Sequence, residues 1–241
     1  MIYVIGIGPG KLDHMTKEAI DCLRNSQVII GYKTYINLIK DLIKDKEIIE
    51  NGMRQEIDRC NMALEISSKG KSVALISGGD SGVYGMAGLI YELNSKRDKK
   101  ERIKVVQGVT SCISAASSLG APLMNDFCQI SLSDLMTPWK QIEKRLELAS
   151  QADFVICLYN PKSKGRPEHL SYAFKIMEKY KNSNTPVGIV KNAGRDNEEV
   201  YVMDFGRMNF DLCDMATMVI IGNKETYIDN GKIITPRGYK I

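Results

Sequence analysis

Residues Ser77-Gly78-Gly79-Asp80-Ser81-Gly82-Val83-Tyr84-Gly85 put four glycines around one carboxylate. Glycine lets a bound molecule come close to the backbone, because no Cβ stands in the way. Two roles are open to Asp80 in such a turn. It can cap the helix that follows, or bond a ribose diol or an ammonium group of a ligand. Gly108-Val109-Thr110-Ser111 poses the same choice, with hydroxyls in place of the carboxylate. Gly6-Ile7-Gly8-Pro9-Gly10 is a third glycine-rich loop. Three such loops at one sheet edge would be a more specific signal than any one of them.

The first loop fails both fingerprints for nucleotide phosphates. The dinucleotide pattern G-x-G-x-x-G wants glycine where Lys11 stands, and an acid at the end of the second strand, where Gly31 and Tyr32 stand. The phosphate loop of nucleotidases wants Ser or Thr where Leu12 stands and glycine where Ile5 stands. A tight turn without ligand contact is the plain alternative for these glycines. In the second half, Ser131-Leu132-Ser133-Asp134-Leu135-Met136-Thr137-Pro138-Trp139 holds the single Trp. Leu158-Tyr159-Asn160-Pro161-Lys162-Ser163-Lys164-Gly165-Arg166 and Val190-Lys191-Asn192-Ala193-Gly194-Arg195 each leave a strand into a basic loop. Alone, each basic loop reads as solvated surface. Together, Lys162, Lys164, Arg166, Lys191 and Arg195 suit a ligand bearing several carboxylates.

The elements that must position these loops alternate between short β-branched runs and longer amphipathic segments. Strands are predicted at Tyr3–Ile5, Val28–Ile30, Lys46–Glu50, Ser72–Ile76 and Ile103–Val106. Helices are predicted over Thr16–Arg24, Thr34–Lys44, Glu56–Lys69, from Met86 onward, and over Ser111–Leu119. Such alternation predicts a mostly parallel sheet. Gly120 to Asn125-Asp126 is turn-rich, which sets a domain boundary between 121 and 122. The second half restarts with a strand at Phe127–Leu132 and a helix with Thr137 at the cap and Pro138 in its first turn. A strand at Phe154–Leu158 and a helix over Pro167–Lys181 follow. Strands at Pro186–Val190, Glu199–Met203, Met218–Ile221 and Lys232–Thr235 then come with little helix between them, which predicts antiparallel pairs. The fold class is therefore α/β, in two α/β domains, 1–121 with a mostly parallel sheet and 122–241 with a mixed one.

The bulk numbers narrow the function. The chain has 241 residues, 44% hydrophobic and 26% charged, with net charge +4. That charge is too mild to argue for nucleic acid, and no apolar run approaches the roughly 20 residues that span a bilayer. Six cysteines lie without a C-x-x-C pair, and read as free thiols in a reducing cytoplasm. With two histidines, no histidine-rich metal site is expected.

The order Gly6-x-Gly8-Pro9-Gly10, Gly78-Gly79-Asp80 with Tyr84, and Gly108-Val109-Thr110-Ser111 with Pro122-Leu123 resembles the tetrapyrrole (corrin/porphyrin) methylases, over nearly the whole chain. The runs Ser131-Leu132-Ser133-Asp134 with Thr137-Pro138-Trp139, Ala152-Asp153-Phe154 leading to Leu158-Tyr159-Asn160-Pro161, and Lys191-Asn192-Ala193-Gly194-Arg195 are similar to the branch acting at C17 of precorrin-3B in cobalamin biosynthesis. Ser81 departs from the pattern, standing where many relatives carry Pro.

The resemblance implies two α/β domains with S-adenosylmethionine in a cleft between them, usually in a homodimer. By matched position, its contacts would be Pro9, Gly78, Gly79, Asp80, Val83, Thr110 and Ser111 from the first domain, and Asn160 and Ala193 from the second. The implied substrate is an anionic tetrapyrrole, precorrin-3B or its cobalt-bearing counterpart, methylated at C17 with contraction of the macrocycle. A sulfonium donor carries no phosphate, which agrees with the failed fingerprints. Proton transfer during contraction has Asp134, His169 and Arg195 as candidates by position and type. Competing readings are methylation at another corrin position, a dehydrogenase built on the first loop, and a non-catalytic tetrapyrrole carrier.

Overall fold

The strands of the first half are apolar on both faces, as strands sandwiched between helix layers must be. The computed structural model describes residues 1–52 and 54–240. Its elements are β1 (Ile2–Gly6), α1 (Lys17–Asn25), β2 (Val28–Tyr32), α2 (Lys33–Leu38), β3 (Glu47–Asn51), α3 (Glu56–Ser68), β4 (Val73–Ser77), α4 (Ala87–Ser95) and β5 (Ile103–Val106). The sheet order is β3-β2-β4-β1-β5, and every pairing is parallel. Side chains alternate across this sheet. Ile5, Ile29, Ala74 and Ile76 meet Ala19, Leu23 and Ile36 of α1 and α2. Val4, Ile30, Val73 and Leu75 meet Ala63, Leu64 and Ile90 of α3 and α4.

The chain continues through α5 (Ser111–Leu119), β6 (Gly120–Ala121), β7 (Phe127–Ser131), α6 (Trp139–Gln151), β8 (Val155–Tyr159), α7 (His169–Met177), β9 (Pro186–Lys191), β10 (Glu199–Asp204), β11 (Thr217–Ile221), β12 (Tyr227–Asp229) and β13 (Lys232–Ile234). Here the main sheet runs β10-β9-β11-β8-β7. Only β7 and β8 pair in parallel within it, while β11 is antiparallel to both β8 and β9. A small sheet, β12-β13-β6, accompanies it.

Three expectations change. The chain divides into two compact units after Ser111 rather than at 121. The reason is that α5 belongs to the second unit's interior. Cys112 Sγ lies 3.2 Å from Cys157 Sγ of β8, Leu119 packs where a Gly188 side chain would stand, and β6 pairs with β13. The helix expected over Thr34–Lys44 breaks at Ile39, and a 3-10 turn at Lys40–Leu42 finishes the segment; Ile36, Ile39 and Ile43 are nonetheless buried. Pro138, not Thr137, takes the N-cap position of α6, because its ψ of 138° is extended and helical geometry begins at Trp139.

Lys181 ties the start of β8 to the end of β11. It is 6% exposed, and its ammonium donates to Phe154 O (2.9 Å) and Gly222 O (3.0 Å), with Asp153 Oδ1 at 3.4 Å. Burial lowers its proton affinity, and the Asp153 charge opposes that shift. Lys181→Met removes the cation and leaves two carbonyls and a carboxylate short of a donor. A loss of about 2–3 kcal/mol is expected in urea unfolding; a midpoint unchanged from wild type would show that the bonds contribute nothing net.

Candidate active site

The three glycine loops of the first unit meet at the C-terminal ends of β1, β4 and β5, the edge at which open α/β sheets bind ligands. What joins them is backbone. Gly8 and Gly79 exchange both hydrogen bonds, each N–H donating to the other's carbonyl at 2.9 Å. A Cβ on Gly6 would lie 2.6 Å from Gly79 O and 2.9 Å from Gly108 N. A Cβ on Gly108 would lie 2.3 Å from Gly79 O and 2.5 Å from Gly6 O. So the close approach that these glycines permit is first between the loops themselves, where sequence reasoning had assigned it to a ligand.

Asp80 locks this junction. Gly82 N–H donates to its Oδ1 (2.7 Å) and Gly108 N–H to its Oδ2 (2.9 Å). It does not cap α4, whose N-cap is Met86, with no side-chain bond. Each carboxylate oxygen has a second lone pair, and the residue is half-buried, so it can still face a ligand. Ser81 is buried, and its hydroxyl donates to Val4 O (3.1 Å). A serine in a glycine-rich turn carries no sequence signal for that anchoring. Thr16 accepts from Ala19 N–H as the cap of α1 and donates to Gln107 O (3.2 Å), tying α1 to the loop after β5. Pro9 and Thr110 are buried; Gly78, Val83 and Ser111 are half-buried. Tyr84 holds φ +55 with its side chain 56% exposed, a conformation that bulky residues seldom adopt outside functional loops.

In the second unit, β7 and β8 end side by side. Asn160, at φ +52, donates from its amide to Ser131 Oγ (3.0 Å), and Ser133 N–H donates to the same oxygen (3.2 Å). Asn192 also stands at φ +52, one residue past β9, with Ala193 and Gly194 completing the turn. Asparagine tolerates this left-handed region better than other non-glycine residues. Asn160 and Ala193 thus lie at the C-terminal ends of β8 and β9, on the same edge of one sheet.

The basic residues are more engaged than their charges alone suggested. Lys191 pairs with Asp214 (2.9 Å), and Lys162 lies 3.5 Å from Asp211 while donating to Phe210 O. Arg166 is buried, donates to Leu132 O (3.2 Å) and lies 3.9 Å from Asp134. It holds the loop after β7, which corrects the reading of this position as solvated surface. Lys164 is exposed and enters no ion pair among the described residues. Asp134 also meets His169, Oδ2 to Nε2 at 3.1 Å. The His169 ring beside it, helped by Arg166, lowers the Asp134 proton affinity. Its pairing therefore stabilises fully above the usual aspartate range and is lost as pH falls through its own lowered value. The structure thus brings two of the three proton-transfer candidates together; Arg195 lies in the loop after β9.

A model of the tetrapyrrole (corrin/porphyrin) methylases matches residues 1–209. The chain belongs to this family. It is 53% identical, over all of both chains, to the probable cobalt-factor III C(17)-methyltransferase of Salmonella typhimurium. It is 39% identical to the precorrin-3B C(17)-methyltransferase of a Sinorhizobium species, over 99% of this chain and 96% of that one. Among solved structures, the methyltransferase CobJ superposes with a TM-score of 0.93 at 31% identity, covering 98% of this chain and 99% of that one. Uroporphyrin-III C-methyltransferase of Thermus thermophilus, solved with S-adenosyl homocysteine, shares the fold (TM-score 0.70, 19% identity, 92% and 96% covered). No helix among the described residues is long and apolar enough to cross a membrane.

Proposed function

We infer that this chain transfers a methyl group from S-adenosylmethionine to C17 of cobalt-factor III or precorrin-3B, in cobalamin biosynthesis. The observation that carries the reading is 53% identity along the full length of a C17-methyltransferase. The higher identity to the cobalt-factor III enzyme than to the precorrin-3B enzyme, 53% against 39%, favours the cobalt-bearing substrate. Contraction of the macrocycle and a homodimer belong to the same proposal.

The first unit's loops fit such a donor. Gly8, Gly79, Gly82 and Gly108 each commit the backbone N–H to another loop atom, so these amides are not available to cradle a phosphate. A nucleoside without phosphate suits that wall, with Asp80 facing it and Gly78, Gly79, Val83, Thr110, Ser111 and Pro9 as the proposed contacts. Asn160 and Ala193 are proposed donor contacts on their family positions alone. Bound there, S-adenosylmethionine would supply an activated methyl on sulfur. The protein's share of the rate is then orientation and exclusion of water, which can supply roughly 7–11 kcal/mol. Purified protein should convert cobalt-factor III to a product carrying a new methyl at C17, located by NMR, with one equivalent of S-adenosylhomocysteine. A methyl at any other position, or substrate binding without turnover, would overturn the reading.

A further inference from the structure

We propose that Asp134 and His169 form the proton-accepting pair for this methyl transfer, the Asp134 carboxylate meeting the macrocycle and His169 storing the proton behind it. The proposal rests on the functional reading above, and its ground is the geometry of the second unit's sheet edge.

Asp134 sits in the loop after β7, and His169 opens α7. Asp134 is 36% exposed by side chain, and His169 only 19%. The imidazole Nε2 is buried and makes no well-aligned hydrogen bond, although Asp134 Oδ2 lies 3.1 Å away. Pairs that move protons are often out of line until substrate closes on them. The histidine cannot swing far, because its ring packs edge-on against Trp139 of α6, with centroids 4.6 Å apart. The other carboxylate oxygen faces Arg166 Nε at 3.9 Å, and Arg166 is fixed in turn by Leu132 O. The charged group from the loop before α7 is thus Arg166, and the group from α6 is the uncharged indole.

Position joins the pair to the site. Asn160, a proposed donor contact, bonds Ser131, which also bonds the N–H of Ser133, the residue before Asp134. Beyond the acid, Leu135 and Met136 are 56% and 93% exposed. Two apolar side chains in water beside a carboxylate suit an edge that receives a flat, largely apolar macrocycle with a polar centre.

The chemistry requires an acceptor. A ring carbon uses one π pair to form the new carbon–carbon bond, while the carbon–sulfur pair leaves with sulfur. The positive charge of the sulfonium thereby passes to the macrocycle. Loss of one ring proton, its bonding pair staying on the macrocycle, restores the original charge. Asp134 takes that proton and hands it to the neutral imidazole, leaving a carboxylate beside an imidazolium, which later releases the proton to water.

The test uses the full chain, S-adenosylmethionine and cobalt-factor III. H169Q and D134N should bind S-adenosylmethionine within about twofold of wild type by calorimetry. Their kcat should fall roughly a hundredfold, the low end for general acid–base groups. H169Q or D134N with wild-type kcat would overturn the inference. Wild type that makes no methylated product would overturn the functional reading, and the inference with it.

Discussion

Gly108→Ala should unfold the glycine junction and abolish binding of S-adenosylmethionine. The added Cβ would lie 2.3 Å from Gly79 O, 2.5 Å from Gly6 O and 2.6 Å from Gly6 C. All three are backbone atoms, so no rotamer change relieves the overlap. Overpacking of a well-packed region costs about 1–3 kcal/mol when side chains can adjust. Here the loop after β5 must move away from both β1 and the loop after β4, and the Gly108–Asp80 bond would go with it. The expected cost is therefore at or above about 3 kcal/mol, seen as a lowered melting temperature. Calorimetry should find no saturable donor binding. Gly88→Ala is the control, because nothing lies within 4 Å of its Cβ position and it sits inside α4. It should stabilise by about 0.5–1 kcal/mol through helix propensity. Wild-type stability and affinity in Gly108→Ala would mean that the loops are not in contact as described.

Asp80→Ala should lose both stability and donor affinity, and the two losses report different roles. Its carboxylate accepts two backbone N–H groups, from Gly82 and Gly108. Hydrogen bonds to a charged group contribute about 1.5–3 kcal/mol each when buried. These two are partly exposed, so a total of about 2–3 kcal/mol is the fair expectation. Asp80→Asn retains one acceptor oxygen but turns an amide N–H₂ toward the other donor, and should fall between the two. Donor affinity should drop at least tenfold in Asp80→Ala, measured by calorimetry below the melting temperature. Lower stability with unchanged affinity would leave Asp80 as a loop staple alone. Lower affinity with unchanged stability would leave it as a ligand contact alone.

Much of the first sheet was legible because each strand is a short, uniformly apolar run and each crossover helix has its own apolar stripe. Val73–Ile76 and Val28–Ile30 are such runs, and both lie inside the strands observed. The second half was readable as mixed because β9, β10 and β11 follow one another without an intervening α-helix. Boundaries were less legible. Ile36, Ile39 and Ile43 keep helical spacing and all reach the core, yet the helix itself stops at Leu38, since periodicity reports burial and not continuity. The domain limit was misplaced for a related reason. Gly120 looks like a stop, but what assigns α5 to the second unit is its packing on β8, a contact far away in sequence.

By itself, the sequence determined the family, the α/β class, the three glycine loops and the absence of a phosphate fingerprint. These follow from local residue types at short spacing. Only the tertiary structure decided what the glycines are for, because the atoms that exclude a Cβ at Gly108 belong to Gly6 and Gly79, on other loops. It also turned Arg166 from a solvated charge into a buried prop, and set His169 against Asp134 across 35 residues of chain. Pairings of that kind depend on which strands lie side by side, and no spacing along a single segment encodes them.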